Sequence, residues 1–520
     1  MEQKNTSIPK EKFKFVNGES RLHDTKLDTK PHSYFYDAFL RFCKNKGSVV
    51  GAVVIIFLIL FAIIVPFCTQ YTVAYTDTYY RTSIPRAKLF QSTSFWDGCE
   101  ARSDSKRNFI YYFAMGEEAG EGHYAVKNQE YTIDDSGFYH YRLDSIHKVG
   151  MKYIDLTYAQ YENLQQYQDK TGIQVIYPTV LLLNRPQFLP DQTDANYYYQ
   201  TTGTNRTDIV YDENGDVIPV YDYYLASEDG DDQYTSRMRV EGEDGFIGED
   251  GNAYYYTYAI LSSTVEVRVN YYEYYIYYHS YVLKDGITEP YFVFGTTGNG
   301  QDILTCLASG ARFSFIFAIA VAAVNLIFGA IYGAIEGYYG GKTDLIMERV
   351  SDILAAVPSM IVITLLKLHM GGSSQILVLF IAFFMTGWIG MASTTRMQFY
   401  RYKNQEYVLA ARTLGAKDRR IIWKHIFPNA LGTLVTSCAL VIPSMIFSEA
   451  NLSYLGIINL SSGNITSVGT LISQGQASLT TAPFIALIPS VFLILLMLSF
   501  NLFGNGLRDA FNPSLRGSED

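Results

Sequence analysis

The sequence predicts a polytopic α-helical membrane protein of six transmembrane helices carrying a strand-rich α+β domain outside the bilayer. Three observations predict it. Six segments approach the roughly 20 apolar residues that a helix needs to cross a bilayer. Charge is unevenly divided: residues 71–300 hold 17 Lys+Arg and 34 Asp+Glu, a balance of −17, while the rest holds 24 and 17, a balance of +7. Tyrosine follows the same division, with 35 of 44 inside residues 71–300. The 520 residues are 48% hydrophobic with a mean hydropathy of +0.02. That average describes a single soluble globule, and the division excludes one. An acidic chain without a basic domain also excludes a general nucleic-acid binder. Five scattered cysteines without a CxxC point to neither a disulfide framework nor a zinc site.

The apolar segments are Ser48–Thr69, Phe313–Ile335, Ile353–Leu368, Gln375–Thr395, Ala430–Ser448 and Pro483–Phe503. The third is short and the fifth contains Pro443, both tolerable where neighbouring helices cover them. The first starts at residue 48 and is too long for the apolar core of a cleaved signal peptide, so it is expected to span. Basic residues set the orientation. With the N-terminus inside, segments 1–47, 336–350, 396–429 and 504–520 are cytoplasmic and carry 22 of the 24 basic residues outside 71–300. The expected layout is a cytoplasmic region 1–47, a first span 48–69, an extracellular insertion 70–291, a membrane core 292–513 with its loop 396–429, and a cytoplasmic tail 514–520. The expected location is a membrane, crossed several times, with residues 70–312 largely extracellular.

The loop between spans 4 and 5 is the most informative stretch. Its first ten residues, Glu406–Gly415, have good helix formers and a terminating glycine, which suits the position just past a helix end. Val408, Ala411 and Leu414 are expected to share one shallow face, able to fit a groove on a partner. Asp418 is expected to cap a second helix, with Ile421, Ile422 and Trp423 along the membrane surface. The alternative is a hairpin that packs under its own bundle.

This loop resembles the EAA loop of ABC-importer permeases through Glu406, Ala410, Ala411, Gly415, His425, Pro428 and Asn429. Further blocks are similar to one branch, the C-type subunit of oligopeptide/dipeptide (and nickel) permeases. They include Asp37–Lys46, Phe294–Asp302, Gly337–Asp344 with Asp352–Pro358, Glu449–Gly456 and Asn501–Asp509. The resemblance covers residues 35–68 and 292–513 in order. It implies a type I importer permease fold in a bacterial plasma membrane. It also implies a coupling helix seated in a cytoplasmic ATPase, with Glu406, Ala410, Ala411, Gly415 and His425 as the coupling residues. The implied partners are a second permease subunit, two ATP-binding subunits and an extracellular lipid-anchored binding protein. ATP and Mg would be held by the ATPases, and this chain would be a transport subunit, not an enzyme. Thr297, Gln301 and Asn505 depart from the family pattern, which weakens any ion pairs made there.

Other motifs weigh less. Glu336–Thr343 nearly matches a phosphate-binding loop but lacks its first glycine and follows an apolar helix, so it reads as a tight turn. Asn205, Asn451 and Asn464 fit the glycosylation tripeptide, common by chance. No histidine pair has ligand spacing. Glu449, at the outer end of span 5, reads equally as lining a substrate path or as interfacial; of Lys367 and His369 at the outer end of span 3, Lys367 reads as snorkelling. Small and hydroxyl residues in the spans suit close packing and a weakly selective path.

In the insertion, Thr157–Lys170 reads as a helix ending at Gly172, Ile173–Leu183 as a buried strand and Ser263–Leu283 as strands. Acidic runs at Asp212–Asp216, Glu228–Asp232 and Glu241–Asp250 read as solvated turns rather than calcium loops. Two other readings stand beside the peptide importer. One is a receptor or adhesin whose outer domain is the function; the other is a permease for nickel or another solute.

Overall fold

The computed structural model describes residues 34–91, 93–177, 201–202, 208–215, 245–247, 253–255, 257–261, 263–370, 374–460 and 465–511. Helix α1 (Tyr34–Lys44) leads into α2 (Lys46–Cys68), whose start is capped by the Asn45 side chain accepting from the Ser48 amide at 3.3 Å. After α2 the chain enters the inserted domain and returns in α6, described below.

The inserted domain contains β1 (Cys99–Asp104), α3 (Lys106–Ala119), β2 (Val126–Ile133), β3 (Tyr139–Asp144), β4 (Met151–Thr157), α4 (Tyr158–Thr171) and β5 (Ile176–Tyr177). Short strands β6 (Thr201–Thr202), β7 (Asp208–Ile209), β8 (Gly245–Ile247) and β9 (Ala253–Tyr255) form two separate pairs. Then come β10 (Thr257–Leu261), β11 (Thr264–Asn270) and α5 (Tyr271–Tyr277), the last extended by a wide π-type turn, Tyr278–Leu283. One antiparallel sheet has the order β1-β3-β2, and a second has β10-β11-β4 with β5 also on β11. Helix α4 lays Tyr161, Leu164 and Tyr167 on the Val265, Val267 and Val269 face of β11. A capping box between Thr157 and Gln160 starts α4, and Gly172 at φ +70° ends it, as the sequence predicts.

Two expectations here need correction. The stretch 271–283, read as strand, is helical. Tyrosine favours strands through packing context, not backbone preference. Here the Asn270 side chain accepts from the Tyr272 amide at 3.1 Å and opens a helix. Its tyrosines then stack on one another, Tyr274 on Tyr278 at 6.0 Å. The strand expected over 173–183 is seen only at Ile176–Tyr177; residues 178–183 lie outside the described residues. Of the acidic runs, Asp212–Gly215 forms a turn closed by the Gly215 amide on the Asp212 carbonyl at 3.0 Å. Glu228–Asp232 lies outside the described residues, as does Glu241–Asp250 apart from β8. Among the described residues no group of three or more His, Cys, Asp or Glu is placed to hold a metal.

The apolar helices follow: α6 (Ile303–Tyr339), α7 (Gly341–Ala355), α8 (Ser359–His369), α9 (Gln375–Tyr402), α10 (Glu406–Thr413), α11 (Asp418–Arg420), α12 (Phe427–Tyr454), α13 (Val468–Gln476) and α14 (Phe484–Phe511). Five helical runs among the described residues are long and apolar enough to cross a membrane: α2, α6, α9, Asp418–Tyr454 and α14. The sixth expected span is different. Helices α7 and α8 pass the same test only together, and they meet at 71°. Alone, the 11 residues of α8 extend roughly 16 Å, about half of a hydrocarbon core. Pro358 explains the break, since it cannot donate to a helix and disfavours helical backbone just before it. Pro443, in contrast, sits inside α12 without ending it. The expected tight turn at Gly340 and Gly341 is present, with φ of +64° and +57°.

Helices α6 and α9 run together along a seam of glycines. A Cβ at Gly333 would overlap the Ala392 carbonyl, and Gly329 and Gly337 approach the α9 backbone near Trp388 and Arg396. Helix α2 packs on α14 where Gly51 meets Ser499 and Phe503. Between α2 and α6, residues 71–87 run beside 292–303 and bond to them repeatedly. The Asp77 amide donates to Gly300 at 3.2 Å, Thr82 to Thr297 at 3.2 Å and Arg86 to Phe292 at 3.0 Å. Gln301 donates its side-chain amide to the Val73 carbonyl at 2.9 Å, and Thr297 accepts from the Asn299 and Gln301 amides. Two of the residues that depart from the family pattern thus make neutral hydrogen bonds at this junction.

Candidate functional site

The loop joining α9 to α12 lies at the end of the bundle opposite the inserted domain. Helix α9 stops at Tyr402, and Lys403 turns back to donate its ammonium to the Gly337 carbonyl at 3.0 Å. Helix α10 then begins with Glu406, an acid in the first turn, where the helix dipole favours it. The end of α10 is a Schellman closure. The Ala416 amide donates to Ala411 and the Gly415 amide to Arg412, at 3.1 and 3.0 Å. Gly415 has φ +79°, and no atom lies within 4 Å of where its Cβ would be. Glycine is needed there for backbone conformation, not for space.

The expected shared face of Val408, Ala411 and Leu414 is not what forms. Val408 is fully buried among Ala334, Tyr338, Phe399, Ile421, Ile422 and Ile426. Ala411 is half-buried and Leu414 is 88% exposed. Six residues along an α-helix is about 240° of rotation, so Leu414 was never on the Val408 face. The outward face carries Glu406, Tyr407, Leu409, Ala410 and Leu414 instead.

Asp418 is also placed differently. It is the first residue of α11, with Lys417 as the cap, and its carboxylate accepts from the Tyr338 hydroxyl at 2.6 Å. Ile421 and Ile422 are buried under the bundle rather than laid along a membrane surface; Trp423 is half exposed. The second helix is therefore the beginning of the run into α12, through a π-type turn at Ile421–Ile426. The hairpin does pack beneath its own bundle, while keeping one face outward. His425 contributes its backbone carbonyl, which accepts from the Asn429 amide at 2.8 Å; Asn429 also donates to the Tyr407 hydroxyl at 3.2 Å.

The loop is thus tied to three long helices: to α6 through Tyr338 and Gly337, to α9 through Phe399, and to α12 through Asn429. Sequence reasoning missed Tyr338 and Tyr407, because nothing in their spacing marks a phenol as a tether. It also missed Arg396 on α9. That guanidinium holds Asp344 at 2.6 and 2.9 Å and Glu348 at 2.8 Å, while Tyr400 donates to Asp344 at 2.7 Å. This ionic group fixes α7 against α9.

Glu449 lies near the other end of α12 and is 1% exposed. Its carboxylate accepts from Ser314 of α6 and from Ser453, both at 3.0 Å. In this structure it is enclosed between helices. Lys367 donates to the Ile457 carbonyl, and His369 bonds to the Leu365 carbonyl at 2.9 Å.

Comparison with known proteins places this architecture. Residues 326–517 match the family described as binding-protein-dependent transport system inner membrane component. Residues 33–87 match the N-terminal TM domain of oligopeptide transport permease C. The oligopeptide transport system permease protein OppC of Bacillus subtilis is 44% identical over 223 residues, covering 43% of this chain and 72% of that protein. The dipeptide transport system permease protein DppC of Lactococcus lactis is 42% identical over 230 residues, covering 44% of this chain and 65% of that protein. OppC of Escherichia coli is 38% identical, covering 43% of this chain and 72% of that protein. Among solved structures, an inward-facing form of the MetNI methionine ABC transporter aligns with 15% identity and a TM-score of 0.31, covering 40% of this chain and 96% of that chain. The chain belongs to the binding-protein-dependent transport permeases, in the C-type branch of oligopeptide and dipeptide permeases.

Proposed function

We propose that the protein is the membrane-spanning permease subunit of an ATP-driven peptide importer. It forms the translocation path with a second permease subunit. Two cytoplasmic ATPases bind ATP and Mg, and an external lipid-anchored binding protein delivers the peptide. The N-terminus, the 403–429 loop and the C-terminus face the cytoplasm, and the inserted domain faces outward, in keeping with the basic residues of the loop side. Closure of the ATPases pushes on Glu406–Gly415, and the tethers carry that push into α6, α9 and α12. The chain itself does no chemistry on the substrate.

The observation that carries this reading is a helix tied to three long helices while Leu414 and Leu409 stay bare. A bare leucine on a short polar-flanked helix suits a protein groove. An anchor for an external receptor has no use for such a loop. Leu414→Glu is the direct test, because the side chain touches little of its own chain. Co-purification of the ATPases and uptake of a labelled tripeptide should fall at least about tenfold, the effect of a charge buried at an interface. Membrane insertion should be unchanged. Full uptake by Leu414→Glu removes the coupling role. Nickel uptake without peptide uptake by the wild type would move the substrate assignment within the same family.

A further inference from the structure

At the base of the inserted domain is an open cleft of about 660 Å³. Its walls come from three places: residues 74–79, which follow α2 and fall within the matched 33–87 segment; β4; and α5 with its π-type turn. The site therefore straddles the part of the chain shared with the relatives and the inserted domain.

The lining is chemically one-sided. Seven of the fifteen lining residues are tyrosines, among them Tyr75, Tyr79, Tyr271, Tyr274 and Tyr278, and among the described residues no Lys or Arg lines it. The buried Asp77 carboxylate lies at its floor. One oxygen accepts from the Tyr79 and Tyr80 amides at 2.8 and 2.7 Å, and the other accepts from the Tyr271 hydroxyl at 2.8 Å. The Tyr75 hydroxyl also donates to that second oxygen, at 3.4 Å, so Asp77 contributes a negative charge behind the rings while its oxygens are held by the chain itself. Asp155, also in the lining, is exposed. The lining histidine, His279, has Nδ1 2.7 Å from the Asp285 carboxylate.

Aromatic rings around a carboxylate complement an ammonium group, which is drawn to ring faces by the quadrupole and to the acid by charge. The chain already contains one such contact. The Lys152 ammonium, next to the cleft on β4, lies 5.5 Å from the centre of the Tyr79 ring. The −17 balance of residues 71–300 adds a field that concentrates cations near the mouth. The volume lies within the range of small-ligand sites and would accept a few residues of a peptide.

We propose that this cleft binds the ammonium groups of peptides, a lysine side chain or a free N-terminus, against the tyrosine walls with Asp155 at the rim. The choice of peptide rests on the importer reading; the choice of an organic cation rests on the cleft alone. It would give the protein a preference for basic peptides.

The test uses the full-length protein in phosphatidylcholine nanodiscs, with no ATPase or binding protein present. Its failure therefore leaves the coupling role untouched. The probes are N-acetylated tripeptides with a central lysine or its neutral isostere norleucine, the unacetylated norleucine peptide, and spermidine. Wild type should bind the lysine peptide at least about tenfold more tightly than its acetylated norleucine counterpart, with much of that preference kept at high salt. Asp155→Asn with Tyr274→Leu should reduce the preference to about threefold or less. Equal binding of lysine and norleucine peptides by wild type overturns the proposal, and that comparison does not depend on the variant folding. A preference abolished by salt also overturns it, since diffuse attraction would then suffice. Tighter binding of spermidine than of any peptide overturns the peptide assignment while keeping the cation site.

Discussion

The seam between α6 and α9 and the seam between α4 and β11 close in opposite ways. In the first, three glycines let two backbones touch. In the second, Tyr161, Leu164 and Tyr167 fill the space over three valines. The difference follows from the solvent. Lipid gives no hydrophobic drive for one helix to leave it for another, so contact is won by backbone proximity. In water, removing large side chains from solvent is itself the driving force. One seam should therefore fail when a residue grows, and the other when a residue shrinks.

The largest effect is expected at Gly333. Gly333→Leu forces α6 and α9 apart along their length, and a loss of roughly 3 kcal/mol or more is expected. Thermal unfolding in detergent, with protease resistance of the spans, would show it. A variant as stable as wild type would mean that the glycine contact is incidental.

Leu164→Ala makes the complementary cut. It removes a fully buried side chain and should cost about 3 kcal/mol. The cost should appear as faster hydrogen exchange in α4 and β11, leaving the spans as protected as before. Loss of protection in α6 and α9 as well would show that the two regions unfold as one.

The smallest effect concerns acid. Burial pushes His147 down to about 4 and also lowers His123. Below about pH 6.5 the unfolded chain takes up a proton at His147 that the folded domain refuses until about pH 4. Stability from this group is thus lost as pH falls through that window. Glu273, raised by burial, works the other way above pH 4.5. The inserted domain should lose on the order of 2 kcal/mol between pH 7 and 5, and His147→Gln should flatten the slope. Equal acid sensitivity of the spans and the domain would assign the effect elsewhere.

These contrasts bear on how far the sequence could be read. The long apolar runs at α2, α6, α9, α12 and α14 were legible because lipid tolerates little else over 20 residues. The α7–α8 pair was not, because half of it is amphipathic and the apolar half is only a fragment of a span. Helical spacing over Thr157–Lys170 and the terminating Gly172 announced α4, while the capping box of Thr157 and Gln160 emerged only in the structure. Tyr271–Leu283 misled because its tyrosines are selected by tertiary stacking, which alternation cannot show. In the loop between α9 and α12, Gly415 was legible from the backbone it must adopt. Val408 and Asp418 were not, since their partners Tyr338 and Phe399 arrive from other parts of the chain.

The junction of the inserted domain has one more consequence. Tyr71 stacks on Phe292 at 5.0 Å, and Gln70 donates to the Glu289 carbonyl at 3.0 Å. The chain therefore leaves and re-enters at nearly the same place, with more than two hundred residues between. Closing so long a detour costs little more than closing a modest one, because the entropy grows only with the logarithm of length. A socket of this kind makes the head exchangeable. The register of α2 against α6 is set below the clasp, so a lineage can enlarge, trim or replace what sits above it without retuning the helices beneath.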